Sequence, residues 1–224
     1  MGPVPIRERA VTVVDSAVRY LALPPAGVGR PVLIIHSWWG LTSSFTTFAD
    51  ELAADGYLAG CADLYHGAVA TSEKEARALR SVKRTEPAYR TLRRCLVELS
   101  ADPRSTGTDP AVIGFSMGGH WAAWLAQHPP PPVSATVLYY ATRGGDFTDA
   151  TAPVLAHFAD DDPFVSASAR RRMARAVSEQ GLSYTAYDYP GTGHWFAESG
   201  HRAHDPDAAR VARRRTLDFL SGAV

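Results

Sequence analysis

The sequence predicts an α/β protein built on a mostly parallel central sheet with helices on both faces. Three observations carry that expectation. From residue 31 onward, short apolar runs alternate with longer helix-forming stretches, the pattern of repeated strand–crossover–strand units. The run Pro31 to Ile35 is continuously apolar up to His36, as a strand buried on both faces must be. Finally, Gly114-Phe115-Ser116-Met117-Gly118 converts an apolar run into helix formers across a single tight turn, and that turn has its own mechanical signature.

The elements follow in order. Val11–Val14 and Val18–Leu23 read as an edge hairpin turning near Asp15-Ser16, and Pro24 to Gly27 as a loop. After the strand at 31–36, Ser37-Trp38-Trp39-Gly40-Leu41 is a loop, and Ser43 or Ser44 caps a helix that ends at Gly56, where a left-handed residue is needed. Tyr57–Leu64 is the next strand. Ser72 to Leu99 is charged and helical, with a break expected at Pro87. Ala111–Phe115 leads into Ser116 and a helix from Gly118 to His128, which four successive prolines, Pro129–Pro132, bring to a stop. Ser134–Tyr140 and Pro153–Phe158 are strands, Ala167–Glu179 a helix, and Tyr184–Tyr189 the last strand. Asp205-Pro206 opens the final helix with a capping carboxylate and a proline at the first helical position. No repeat or long linker divides the 224 residues, so a single domain spanning 1–224 is expected.

Composition narrows the function classes. Lysine plus arginine equals aspartate plus glutamate, 23 each, so no net field favours nucleic acid or an acidic membrane. The arginine runs 170–172 and 213–215 fall in helices and read as solvated faces. Two cysteines, Cys61 and Cys95, make no disulfide framework, which suits a reducing compartment. With no apolar signal core at the N-terminus and no 18-residue apolar stretch, a cytoplasmic protein is expected.

The chemistry centres on Ser116. In a G-x-S-x-G elbow the serine takes a strained conformation that lifts its hydroxyl clear of the sheet, and the next amide, here Met117, points toward it from a helix N-terminus. Serine needs a base, usually a histidine steered by a carboxylate. Of eight histidines, His194 lies in a glycine-rich loop beyond the last strand, downstream of every acid candidate, which is the chain order Ser, Asp, His. Asp160, Asp161 and Asp162 all follow the penultimate strand, and residue type alone leaves the three open. An Asp-rich loop can also hold a divalent cation, but no ligand pattern with spaced glycine is present, and neither metal nor cofactor is expected. The Ser37–Gly40 loop stands where a second oxyanion amide is usually found. Trp38, Trp39, Tyr65 and Trp195 are expected to form an aromatic wall, with His36 and Ser37 shaping the pocket.

These residues resemble the dienelactone hydrolase family of α/β-hydrolases over about Pro31 to Leu220. The points of likeness are Gly114–Gly119, Gly56 to Tyr65, Asp162-Pro163-Phe164-Val165, Gly193-His194-Trp195-Phe196-Ala197 and Arg215 to Leu220. The resemblance implies the α/β-hydrolase fold, selects Asp162 as the acid, and assigns the second oxyanion amide to Trp38. It also exposes departures. The family uses cysteine where Ser116 stands and a glutamate, which helps control the thiol, where Ser37 stands. It binds a substrate carboxylate with arginines, one of them at the position of Glu198, which here is expected to repel such a group. Arg77, Arg80 or Arg84 remains as a second anion-binding candidate.

The expected function is hydrolysis of a small-molecule ester or lactone through an acyl-enzyme, by a monomer or homodimer, with the dienelactone itself not expected as substrate. Two rivals are a cyclisation, elimination or acyl transfer using the same residues, and a non-catalytic ligand-binding descendant of the fold.

Overall fold

A computed structural model describes residues 10–12, 16–82 and 85–222. Its centre is one eight-stranded sheet of order β1-β2-β4-β3-β5-β6-β7-β8. β1 (Ala10–Thr12) and β2 (Val18–Ala22) are antiparallel, and β2 also meets β4 (Tyr57–Ala62) antiparallel. From β4 onward, through β3 (Arg30–Ile35), β5 (Ala111–Phe115), β6 (Thr136–Tyr139), β7 (Val154–Asp161) and β8 (Tyr184–Gly193), all pairings are parallel. The expected hairpin is therefore present. Val13, Val14 and Asp15, where its first strand and turn were placed, lie outside the described residues, as do the N-terminus and Arg84.

β3 shows why the run 31–35 had to be apolar throughout. Val32 and Ile34 pack into a core with Phe45 and Leu52 of α1 (Ser43–Ala54) and Ala212 and Leu220 of α6 (Pro206–Gly222). Leu33 and Ile35 face the opposite core, with Leu92 and Leu96 of α3 (Thr85–Ala101), Ala122 of α4 (Met117–Gln127) and Val177 of α5 (Ala167–Ser178). Each side chain of the strand meets a helical layer, and removing both faces from water stabilises by about 25 cal/mol per Å² of apolar surface.

Among the differences from expectation, three have a local reason. Thr42, not Ser43 or Ser44, is the N-cap of α1, and its side chain makes no capping hydrogen bond. Pro87 does not break a helix: it sits in the first turn of α3, following α2 (Glu73–Val82), where its missing N–H has no intrahelical partner to lose. β7 and β8 run on to Asp161 and Gly193, because pairing resumes at Asp161↔Gly193 after an irregularity past Ala159. Ladder hydrogen bonding thus recruits Asp- and Gly-rich segments that resemble loops.

The sheet converges on one end. The first residues beyond β3, β5, β6, β7 and β8 are His36, Ser116, Tyr140, Asp162 and His194. Parallel sheets place their ligand sites at these carboxyl ends.

Candidate active site

Ser116 has φ 52° and ψ −113°, a left-handed conformation that costs a non-glycine residue about 1–3 kcal/mol. The turn is held from both sides. Its amide donates to the Tyr139 carbonyl at 2.9 Å, and its own carbonyl accepts from the amides of Gly119 and His120 at 3.0 and 3.2 Å. The glycines are steric requirements: a Cβ on Gly114 would strike the Gly118 backbone, and one on Gly118 would strike the Ile35 carbonyl. The elbow pattern in the sequence is thus the footprint of a helix start pressed against two strands.

The Ser116 hydroxyl lies 2.8 Å from Nε2 of His194, and Nδ1 of His194 lies 2.8 Å from Oδ2 of Asp162. A carboxylate only accepts, so Nδ1 carries the proton and Nε2 is left to accept from the hydroxyl. Oδ1 of Asp162 accepts from the amides of Phe164 and Val165 at 2.9 and 3.2 Å. Both carboxylate oxygens are therefore engaged, and the side chain is fully buried. Asp160 and Asp161 are exposed, and Asp160 accepts instead from the Gly191 amide at 3.2 Å. The strand irregularity after Ala159 is what separates the three: it turns Asp162 inward and leaves its neighbours in solvent.

The loop after β3 folds over this line. Gly40 donates to the Ser37 carbonyl at 3.3 Å, closing a turn, and adopts φ 93° against the Ala68 carbonyl, where only glycine fits. Trp38 stacks on Trp195 with ring centres 5.6 Å apart. Trp38 and Met117, the two residues expected to offer oxyanion amides, both border the cavity that contains Ser116 and His194. That cavity measures 430 Å³, and Trp121, Tyr140, Phe164 and Trp195 complete its aromatic wall, with Arg80 on its border.

The wall differs from the expected one. His36 is fully buried behind it, its Nδ1 2.6 Å from the Ser37 carbonyl and its Nε2 accepting from the Leu64 amide at 3.0 Å. Tyr65 lies beneath Met117, its hydroxyl 3.3 Å from the thioether sulfur. Ser37 is buried, and Trp39 and Glu198 border a separate cavity of 540 Å³. Glu198 does not border the cavity that contains Ser116, where the expected repulsion of a substrate carboxylate was placed. Its carboxyl accepts from the Ser37 hydroxyl at 2.8 Å and the Tyr140 hydroxyl at 2.9 Å. Burial pushes that carboxyl up to about 8.

Tyr140, Trp121 and Phe164 were not among the expected site residues. Tyr140 directly follows a parallel strand, and Phe164 follows Asp162 by two residues, so position at a strand's carboxyl end was the available signal. Trp121 lies within α4 and carried no such mark.

Residues 18–224 match the family model described as the dienelactone hydrolase family. The chain belongs to that family. With the family comes the reaction class: this dienelactone hydrolase relative is a carboxylic ester or lactone hydrolase. A carboxymethylenebutenolidase of Pseudomonas sp. strain P51 is 28% identical over 215 residues, covering 90% of this chain and 88% of that one. Among solved structures, a dienelactone hydrolase-like promiscuous phosphotriesterase from metagenomic libraries superposes with a TM-score of 0.81 at 20% identity, covering 96% of this chain and 97% of that one. A thermophilic esterase from the planctomycete Thermogutta terrifontis, with propionate bound, gives 0.67 at 17% identity over 97% and 96% of the two chains. At such identities the two structures speak for the α/β-hydrolase fold alone. Among the described residues no helix is long and apolar enough to cross a membrane.

Proposed function

We propose that this dienelactone hydrolase family member cleaves its ester or lactone through an acyl-enzyme on Ser116. The hydrogen-bonded line from Ser116 through His194 to Asp162 is the observation that supports this reading. His194 takes the Ser116 proton as the hydroxyl attacks the carbonyl, and Asp162 holds the required tautomer and stabilises the imidazolium. The amides of Met117 and Trp38 receive the developing oxyanion. His194 then protonates the leaving alkoxide, and water, activated by the same imidazole, releases the acid. Trp121, Phe164 and Trp195 give the substrate an apolar surface, while Arg80 offers a cation to an acidic substituent.

The test is a panel of short-chain aryl esters and lactones with wild type and Ser116→Ala, together with a fluorophosphonate probe. Turnover, labelling of wild type, and loss of about 10⁴–10⁶ in kcat in the variant are expected. Labelling without turnover on any ester or lactone would instead point to cyclisation, elimination or acyl transfer. No labelling at all would leave a binding protein.

A further inference from the structure

Glu198 presents a problem that the proposed chemistry does not use. Its carboxyl group is buried in the protein, with the residue only 3% exposed, yet among the described residues no arginine, lysine or histidine forms an ion pair with it. Burying a carboxyl without a cation is costly, and an apolar side chain of similar volume would serve packing better. What the carboxyl does possess is two hydroxyl donors from two different loops. Ser37, in the loop after β3, bonds one oxygen at 2.8 Å, and Tyr140, directly after β6, bonds the other at 2.9 Å. Glu198 itself follows β8.

Both donors adjoin the reacting line. Ser37 precedes Trp38, and its hydroxyl oxygen also receives the Trp39 amide at 3.4 Å. The Tyr140 ring packs on the His194 imidazole with centres 4.8 Å apart, and its φ of 39° is a left-handed conformation that needs outside support. We propose that Glu198 is a positioning residue that clamps the Ser37–Gly40 loop to Tyr140, fixing the Trp38 amide for the oxyanion and the Tyr140 ring against His194. The proposal rests on the acyl-enzyme reading above. Burial favours the neutral carboxyl, which like an amide has one accepting and one donating side, and because a hydroxyl can both give and take a hydrogen bond, either group can hold Ser37 and Tyr140 at once. Glutamine is then a fair replacement and leucine is not.

The experiment compares wild type, Glu198→Gln and Glu198→Leu on p-nitrophenyl butyrate, with melting curves to establish folding. The expected result is a folded Glu198→Leu with kcat lowered by about 10- to 100-fold, as a displaced oxyanion donor or base allows, and KM within about threefold. Glu198→Gln should restore kcat to within about threefold of wild type, since a neutral amide replaces one neutral hydrogen-bonding group with another. A folded Glu198→Leu with wild-type kcat overturns the role, and so does a Glu198→Gln as impaired as the leucine variant. If Glu198→Leu does not fold, Ser37→Ala and Tyr140→Phe decide: each should lower kcat at nearly constant KM, and wild-type kcat in both overturns the clamp. Wild type that neither turns over the ester nor reacts with a fluorophosphonate sinks the acyl-enzyme reading itself. Active, labelled wild type beside unaltered variants sinks only the clamp.

Discussion

Two buried histidines, His194, the proposed base, and His157, show what separates a candidate proton carrier from core. Each has both ring nitrogens engaged. His194 joins the Ser116 hydroxyl to the Asp162 carboxylate and borders a cavity. His157, inside β7, joins the Tyr189 hydroxyl at 2.8 Å to the Thr216 hydroxyl at 3.0 Å, with Tyr139 completing the cluster at 2.8 Å to Thr216. Among the described residues no carboxylate pairs with it, and burial pushes it down to about 3. The lesson is that burial and saturation with hydrogen bonds do not make a base. A carboxylate on one nitrogen does, because it stabilises the imidazolium that the other nitrogen must form.

The largest expected effect tests that carboxylate. Asp162→Asn should cost about 10⁴ in kcat by favouring the wrong tautomer, whereas Asp161→Asn, exposed one residue earlier, should stay within about twofold. Steady-state kinetics on one aryl ester read both, and the reverse order would assign the acid to Asp161. The next test reverses the comparison. His157→Leu leaves the Tyr189 and Thr216 hydroxyls without their shared partner, so it should destabilise by about 1–3 kcal/mol in urea unfolding while kcat per folded molecule is preserved. A large fall in kcat at full folding would mean that the two histidines are not functionally distinct.

A third prediction concerns pH and has a definite sign. Glu198 is raised from 4.5 to about 8, so between those values the folded chain retains a proton that the unfolded chain has lost. Stability is present in full below pH 4.5 and declines, by on the order of a few kcal/mol, as pH rises through 8. His157 is lowered from 6.5 to about 3, so its contribution is present above 6.5 and is lost as pH falls toward 3. Urea midpoints measured from pH 4 to 9 should show Glu198→Gln flattening the decline between about pH 4.5 and 8. An unchanged slope across that window in the variant would show that Glu198 does not titrate as its burial requires.

The smallest effect sharpens the cavity side of the comparison. Phe164 is 52% exposed yet packs on His194 at 4.8 Å and on Trp38 at 5.9 Å. Phe164→Ala should raise KM about two- to fivefold with kcat nearly unchanged, as loss of a partly solvated aromatic contact would. A larger fall in kcat than rise in KM would make Phe164 a support for the imidazole rather than a substrate surface.

Much of the fold was legible because its signals are local. The uniform apolarity of Val32 to Ile35 is forced by helices on both sides, while Gly114 is forced by the backbone of its own turn and Gly118 and Gly119 by the close approach of the Ile35 carbonyl and the Ala141 side chain, and in each case the required residue types cluster within a few positions of the chain. Ser116 and His194 were legible for the same reason, each lying in a glycine-marked stretch. The proposed acid was only half legible. Three adjacent aspartates are equivalent until an irregular strand end buries one and exposes two, and it was family resemblance rather than residue type that singled out Asp162.

What the chain by itself determined was the order of strands and helices and the residues standing at the strand ends, since periodicity, glycine and proline act over a few residues at a time. What only the tertiary structure decided was which side chains share a cavity. Trp39 and Glu198 stand one and four residues from Trp38 and His194, yet they face a different space. Tyr140, Trp121 and Phe164 come from three separate stretches of the chain to line the same one. Side-chain direction at a loop depends on turns closed by distant partners, as Ser37, Tyr140 and Glu198 close theirs across the sheet, and spacing in sequence does not encode that geometry.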